Sequence, residues 1–171
     1  NVISYVDAAQ LKRENMVKLP VIVYNRKTHS DVFLDAITIR NNLEAKAKID
    51  QATTGRYIRP IVLLQAQPRG KDENTTFTKL RHALVEMGIP EDWIAIKTAE
   101  INELKNVDLL SETCPIRYII TVNALKEGWD CPFAYILATI ANRTSAVDVE
   151  QILGRILRLP YTAKNETDML N

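Results

Sequence analysis

Three polar side chains near the end of the sequence have a spacing suited to phosphate chemistry. Gln151, Arg155 and Arg158 stand at i, i+4 and i+7 of the segment EQILGRILRLP, residues 150–160. On an α-helix they would fall within roughly 60° of one another. A guanidinium group is planar, permanently charged and able to form forked hydrogen bonds with phosphate oxygens. The spacing therefore indicates polyphosphate binding, with an arginine that stabilises a transferred phosphoryl group as its catalytic form. The plainer alternative is an amphipathic helix whose arginines are solvated.

A second segment, NALKEGWDCP at residues 123–132, favours the catalytic interpretation. It is a glycine-containing loop between two apolar runs. Gly128 suits a backbone conformation that other residues resist. Asp130 is a candidate acceptor for a ribose, a backbone amide or an arginine of the last helix. Lys126 and Thr121 are candidates for contacts with the phosphates of a nucleic-acid strand.

The elements that must position these residues alternate between strands and helices. Apolar runs predict strands at residues 21–24, 61–64, 93–96, 118–122 and 135–140. Helical spacing predicts helices over residues 31–51, 77–87 and 145–159. Residues 103–110 are ambiguous, with a short helix as one alternative, and residues 67–76 are expected to form an exposed loop. This alternation predicts an α/β fold with a mainly parallel sheet flanked by helices, whose ligands bind beyond the carboxyl ends of the strands.

Composition limits the classes of function. The chain has 171 residues and a net charge of +1, which suits one domain without an overall attraction to nucleic acid or membrane. Its two cysteines and two histidines form no cluster, so no metal site is expected. No apolar run approaches the roughly 20 residues that span a bilayer, and a reduced, cytoplasmic setting is expected. Because the chain begins at Asn1 without a methionine, we expect a piece of a larger protein.

These segments resemble the second RecA-like domain of a superfamily 2 helicase or translocase. EGWD resembles motif V and QILGRILR resembles motif VI, while PIVLLQAQ at residues 60–67 sits where motif IV belongs. We call residues 123–132 the motif V-like segment and residues 150–160 the motif VI-like segment. The match is closest to the Res subunit of type III restriction enzymes, in the DEAD/DEAH-like group, and it is nearly continuous over residues 120–160.

The resemblance extends to the start of the chain and implies two units. LKRENMVKLPVIV, residues 11–23, resembles the segment that links the two motor domains of these enzymes. We call it the linking segment. The implied units are an interdomain linking region with a strand and a helix over residues 1–55, and a RecA-like helicase C-terminal domain over residues 56–171.

The resemblance also implies roles for individual residues at an ATP site. Arg155 and Arg158 match the motif VI arginines that reach the γ-phosphate across the interdomain cleft, which makes them the implied catalytic residues. Gln151 matches the position that senses nucleotide. Gly128 and Asp130 match motif V, which couples the nucleotide site to bound DNA.

Further implications concern nucleic acid, cofactors and partners. Thr121, Asn123 and Lys126 lie near positions that touch the nucleic-acid backbone in this family. No GxxxxGK[ST] phosphate loop and no DExD/H box occur in the sequence. ATP and Mg²⁺ would therefore be held mainly by an N-terminal RecA-like domain of the same polypeptide. The other implied partners are double-stranded DNA and a modification methyltransferase subunit.

Two alternatives stay open beside the restriction enzyme. The first is the equivalent domain of a DNA repair or remodelling helicase, since excision-repair helicases carry a related motif V. The second is a non-catalytic α/β binding module that keeps the motifs as remnants. A nuclease region after this one would favour restriction, and loss of ATPase activity on replacing Arg155 would exclude the binding module.

Overall fold

A four-stranded parallel sheet lies at the centre of the fold. A computed structural model describes residues 8–18, 22, 28–66, 73–121, 130–140 and 156–171. The strands are β1 (Ile61–Gln65), β2 (Ile94–Lys97), β3 (Tyr118–Thr121) and β4 (Ala134–Thr139). They lie in the order β2-β3-β1-β4, and every neighbouring pair is parallel. These strands match four of the predicted strands to within one residue at each end, so the predicted α/β fold with a parallel sheet is confirmed.

The helices of the described ranges are α1 (Ala8–Arg13), α2 (His29–Thr54) and α3 (Glu73–Glu86). Short 3₁₀ turns cover Glu91–Trp93, Pro160–Thr162 and Asp168–Leu170. The helix α2 begins where the Thr28 hydroxyl accepts a hydrogen bond of 3.1 Å from the Asp31 N–H. It ends at Gly55, whose φ of 72° is a left-handed conformation that glycine adopts without a Cβ clash. The helices predicted at residues 31–51 and 77–87 are thus confirmed. No helix within the described ranges is long and apolar enough to cross a bilayer.

The two faces of the sheet contact different hydrophobic clusters, because successive side chains of a strand point in opposite directions. Val62 and Leu64 of β1 belong to a cluster that includes Phe77 of α3. Ile61 and Leu63 belong to a second cluster on the opposite face. All of β1 is buried, as the continuous apolar run predicts for a strand covered on both sides.

The long helix α2 packs into the same core as the sheet. Its residue Phe33 belongs to the first cluster and Ala47 belongs to the second. Packing is therefore continuous across Gly55, where the sequence analysis divided residues 1–55 from residues 56–171. Within the described residues, α2 is part of the α/β body.

Residues 103–110 form turns rather than the short helix that was the alternative for this region. The fully buried side chain of Arg59 holds the end of this region and the residues after it. Its guanidinium donates hydrogen bonds to the carbonyl oxygens of Leu109 (2.6 Å), Ser111 (2.8 Å) and Ile116 (2.9 Å). The carbonyl of Ser111 also accepts a hydrogen bond from the Cys114 N–H, so side-chain and backbone donors together stabilise this irregular stretch.

Two other predictions fall at the limits of the described residues. The strand predicted at residues 21–24 lies outside them except for Ile22, which is exposed. The exposed loop predicted over residues 67–76 is wrong for residues 73–76, because α3 begins at Glu73. Residues 67–72 lie outside the described residues.

Candidate functional site

The carboxyl ends of the strands carry polar side chains in register. Gln65 at the end of β1 pairs with Thr121 of β3 on one side and with Thr139 of β4 on the other. Lys97 of β2 pairs with Thr121 from the outer side. Oε1 of Gln65 and Oγ1 of Thr121 are buried without a hydrogen-bond partner among the described residues. Because buried polar atoms are normally paired, this edge of the sheet is suited to a ligand that brings polar groups.

Among the predicted site residues, Thr121, Asp130 and Arg158 are described. Thr121 is the last residue of β3 and is fully buried, and its predicted contact with nucleic acid stays a prediction. The other predicted site residues lie outside the described residues: Gln151, Arg155, Gly128, Asn123 and Lys126. Their assigned roles also stay predictions.

An ion pair joins the motif V-like segment to the motif VI-like segment. Nη1 of Arg158 donates a hydrogen bond of 2.5 Å to Oδ2 of Asp130. The exposed fractions of the two side chains are 68% and 39%, so the pair contributes only about 0–1 kcal/mol to stability. Its geometric consequence is that one nitrogen of this exposed guanidinium lies against the Asp130 carboxylate. A ribose, a backbone amide and an arginine were the candidate donors for Asp130, and in the structure an arginine donates to it.

Arg158 lies outside the helix that was predicted over residues 145–159, and this part of the prediction is wrong. Ile156 is helical, but Leu157 is not. Arg158 forms an isolated antiparallel bridge with Val17 of the linking segment. The helical spacing of i, i+4 and i+7 therefore does not place Arg158 on one helix face with the other two side chains.

Neighbouring residues explain the early end of this helix. Pro160 disfavours the helical conformation at Leu159, whose φ and ψ of −75° and 130° are extended. The Leu159 N–H donates to the Met16 carbonyl oxygen at 3.0 Å, and the Lys18 N–H donates to the Leu157 carbonyl oxygen at 2.6 Å. The backbone pairs with the linking segment in place of continuing the helix.

A buried lysine that the sequence analysis did not select lies beside this bridge. Nζ of Lys18 donates hydrogen bonds to the carbonyl oxygens of Pro132 (2.9 Å), Ala134 (2.6 Å) and Ile156 (2.5 Å). It also lies 4.2 Å from the centre of the Tyr135 ring, in a cation–π contact. Only 7% of Lys18 is exposed. This one ammonium group thus contacts the start of β4 and the last described helical residue.

The protonation of Lys18 is set by its surroundings. Burial lowers the pKa of Lys18 to about 7, although the nearby Cys131 and Asp130 favour the charged form. Burial also raises the pKa of the Cys131 thiol to about 11, so this cysteine is neutral at physiological pH. An ammonium has three N–H donors and a neutral amine has two. Loss of the proton near neutral pH would therefore leave one of the three carbonyls without its donor.

A small cavity lies against the same backbone bridge. Its volume is about 240 Å³, and it is lined by Lys12, Arg13, Asn15, Val17, Leu159, Lys164 and Asn171. The lining contains three basic side chains and no carboxylate. Such a lining favours anionic groups over cations.

The described residues contain no group of His, Cys, Asp and Glu side chains that could hold a metal ion. Cys114 and Cys131 are both buried and free.

Comparisons with known proteins give no match: no protein-family model, no curated protein and no solved structure matches the chain. The proposed function therefore rests on the sequence motifs and on the contacts described above.

Proposed function

We propose that this chain is the C-terminal motor domain of an ATP-dependent DNA translocase or helicase of a type III restriction system. A RecA-like domain elsewhere in the same protein would hold ATP and Mg²⁺, and this chain would contribute residues that respond to the nucleotide. The observation that carries the proposal is the ion pair between Asp130 and Arg158. It joins the two segments that resemble motifs V and VI and presents a guanidinium at the surface. The parallel sheet supports the proposal, because such motor domains require one.

In the proposed mechanism, Arg155 and Arg158 stabilise the charge that develops on the transferred phosphoryl group when the two motor domains close on ATP. A guanidinium has five N–H donors, and Asp130 engages one nitrogen of Arg158. The remaining donors of this exposed side chain are available to phosphate oxygens. Gln151 would sense the nucleotide, and Gly128 would shape the loop that couples the site to DNA.

Double-stranded DNA is the proposed nucleic-acid partner, along which the protein would move. Thr121, Asn123 and Lys126 are the residues proposed to contact its backbone. Of these, Thr121 ends β3 at the carboxyl edge of the sheet, where it is buried beside Gln65, so its contact would require that edge to open. A modification methyltransferase subunit is a proposed partner, and the cytoplasm is the proposed location. Opening and closing of the interdomain cleft during ATP turnover would move the protein along DNA.

The proposal is tested by ATPase measurements on the whole protein. We expect Arg155→Ala and Arg158→Ala each to lower DNA-stimulated kcat by about 10³-fold or more, as removal of an arginine finger does. Arg81→Ala is the matched control, because Arg81 also forms an ion pair, with Glu103, but lies outside the two motif-like segments. Its kcat should stay within about twofold of that of the unaltered protein, since neither Arg81 nor Glu103 has a proposed contact with nucleotide and a partly exposed pair contributes little to stability.

Two results would contradict the proposal. One is unchanged ATPase activity and translocation in both motif VI-like variants. The other is strong DNA-stimulated ATPase activity in residues 1–171 alone, since the sequence contains no phosphate loop to hold MgATP.

A further inference from the structure

The ammonium group of Lys18 links three stretches of chain that lie far apart in sequence. Lys18 belongs to the linking segment. Two of its acceptors, the carbonyls of Pro132 and Ala134, lie at the end of the motif V-like segment and the start of β4. Its third acceptor, the carbonyl of Ile156, belongs to the motif VI-like segment. A single nitrogen atom is thus hydrogen-bonded to both motif-like segments and to the start of β4.

The fold alone does not require a charge at this position. Burying an ammonium costs several kcal/mol, and an apolar side chain would fill the same space without that cost. The linking segment is already held to the motif VI-like segment by two backbone hydrogen bonds, Lys18 N–H to Leu157 O and Leu159 N–H to Met16 O. What the ammonium adds is a connection from both segments to the motif V-like segment.

We propose that Lys18 is a positioning residue for the interdomain ATP site, where its ammonium holds Asp130 and Arg158 in the relative placement that the closed cleft requires. This inference rests on the proposed function. Lys18 does not touch the nucleotide and acts through the exposed guanidinium of Arg158, which lies two positions after one of its acceptors. Because the linking segment connects the two motor domains in the proposed protein, a displacement of that segment would shift both motif-like segments together.

The protonation state of Lys18 gives the inference a distinctive readout. The titratable groups that face it are Cys131, whose thiol is neutral near pH 7, and the carboxylate of Asp130. The ring of Tyr135 covers its ammonium, and burial raises the pKa of that phenol, which stays protonated. As pH rises through about 7, Lys18 loses a proton and one of its three carbonyl contacts. The positioning of Asp130 and Arg158 should become less precise over the same pH interval, and kcat should fall.

The experiment uses the whole protein with saturating double-stranded DNA and compares Lys18→Met with Lys79→Met. Lys79 is an exposed lysine of α3, outside the linking segment and both motif-like segments, and serves as the matched control. We expect Lys18→Met to lower kcat by about 10- to 100-fold with the KM for ATP within about threefold, because misplacement of a catalytic group affects the transition state more than substrate binding. The unaltered protein and Lys79→Met should both lose kcat between pH 7 and 8.5, and the profile of Lys18→Met should be flat.

The assays are run below the melting temperature of each variant, read by circular dichroism. A folded Lys18→Met protein that keeps kcat within about threefold, with an unaltered pH profile, would overturn the inference and leave the proposed function intact. If Lys18→Met does not fold, the unaltered protein decides: a kcat that is constant from pH 6 to 8.5 overturns the inference, and the expected decline supports it. A whole protein without any DNA-dependent ATPase activity would contradict the proposed function and this inference together.

Discussion

Replacing Lys18 by methionine should change how the stability of this chain depends on pH. Methionine has a similar length and no charge, so it keeps the packing of the side chain and removes its titration. The pKa of Lys18 is about 7 in the folded chain, and its ordinary value of 10.5 applies to the unfolded chain, where the side chain is exposed to water. Between these two values the unfolded chain binds a proton that the folded chain does not. The free energy of unfolding of the unaltered chain must therefore rise with pH across this window.

The magnitude follows from the two pKa values. Below pH 7 both states bind the proton, and the full penalty of about 5 kcal/mol for burying the charge is present. From about pH 6.5 to about pH 8.5 the contribution of Lys18 should change by about 2 kcal/mol in favour of the folded state. Above pH 9 the Cys131 thiol acts in the opposite direction, because its pKa of about 11 makes the folded chain keep a proton that the unfolded chain loses. Below pH 8.5 the titration of Lys18 is therefore little affected by that of Cys131.

The assay is urea unfolding followed by circular dichroism at a series of pH values, for the unaltered chain, Lys18→Met and the exposed control Lys79→Met. The difference in unfolding free energy between the unaltered chain and Lys18→Met should change by about 2 kcal/mol over this interval, whereas the unfolding free energy of Lys79→Met should run parallel to that of the unaltered chain. A difference that stays constant within about 0.5 kcal/mol would refute the reasoning. It would mean that three carbonyl acceptors hold the proton on Lys18 more strongly than burial removes it.

Three other substitutions have expected effects on stability, all measurable by urea unfolding. Thr121→Val should raise the free energy of unfolding by about 1 kcal/mol, because a buried hydroxyl without a described partner is replaced by a methyl group of similar size; a loss of stability would show that this hydroxyl is hydrogen-bonded. Arg59→Leu should lower the free energy of unfolding by about 3–5 kcal/mol, because three carbonyls lose the hydrogen bonds that a fully buried guanidinium donates to them. The exposed Arg158→Leu should cost under about 1 kcal/mol, and equal losses at the two arginines would contradict the role of Arg59.

The strands were predictable because their signal is local. The runs at residues 61–64 and 118–122 are continuous and apolar, and a strand buried on both faces needs no more than that. The end of α2 also has a local cause, since Gly55 is the residue type that a left-handed helix end requires. Where the physical cause lies within a few residues, the pattern was sufficient.

The end of the last predicted helix was wrong for a non-local reason. The apolar spacing of Ile152, Ile156 and Leu159 continues beyond the point where the helix stops. Pro160 is a local signal for the end of this helix, but the backbone bridge to residues 16–18 is seen only in the structure. Helical periodicity depends on residues close to Arg158 in sequence, and it carries no information about a bridge to Val17, which is 141 positions away.

The two buried cations were missed for the same reason. Lys18 reaches a carbonyl 116 positions away, and Arg59 reaches one 57 positions away. A hydrogen bond from a side chain to a backbone carbonyl leaves no pattern in the sequence of the acceptor, because every residue has that carbonyl. The signal that the chain does offer for Lys18 is a charged residue inside the apolar stretch MVKLPVIV.

The middle strand has a consequence for where motion can occur. Alternate side chains of β1 are held by different layers, and its two edges are held by β3 and β4. A shift of β1 would disturb both layers and both neighbours at once, so the position of Gln65 at its carboxyl end is determined several times over. This end of the sheet is therefore held in place by contacts on every side. The described part of the linking segment is joined to the motif VI-like segment by the backbone bridge at Val17 and to β4 by the ammonium of Lys18, so a small displacement of this part would disturb fewer of the described contacts than a shift of β1.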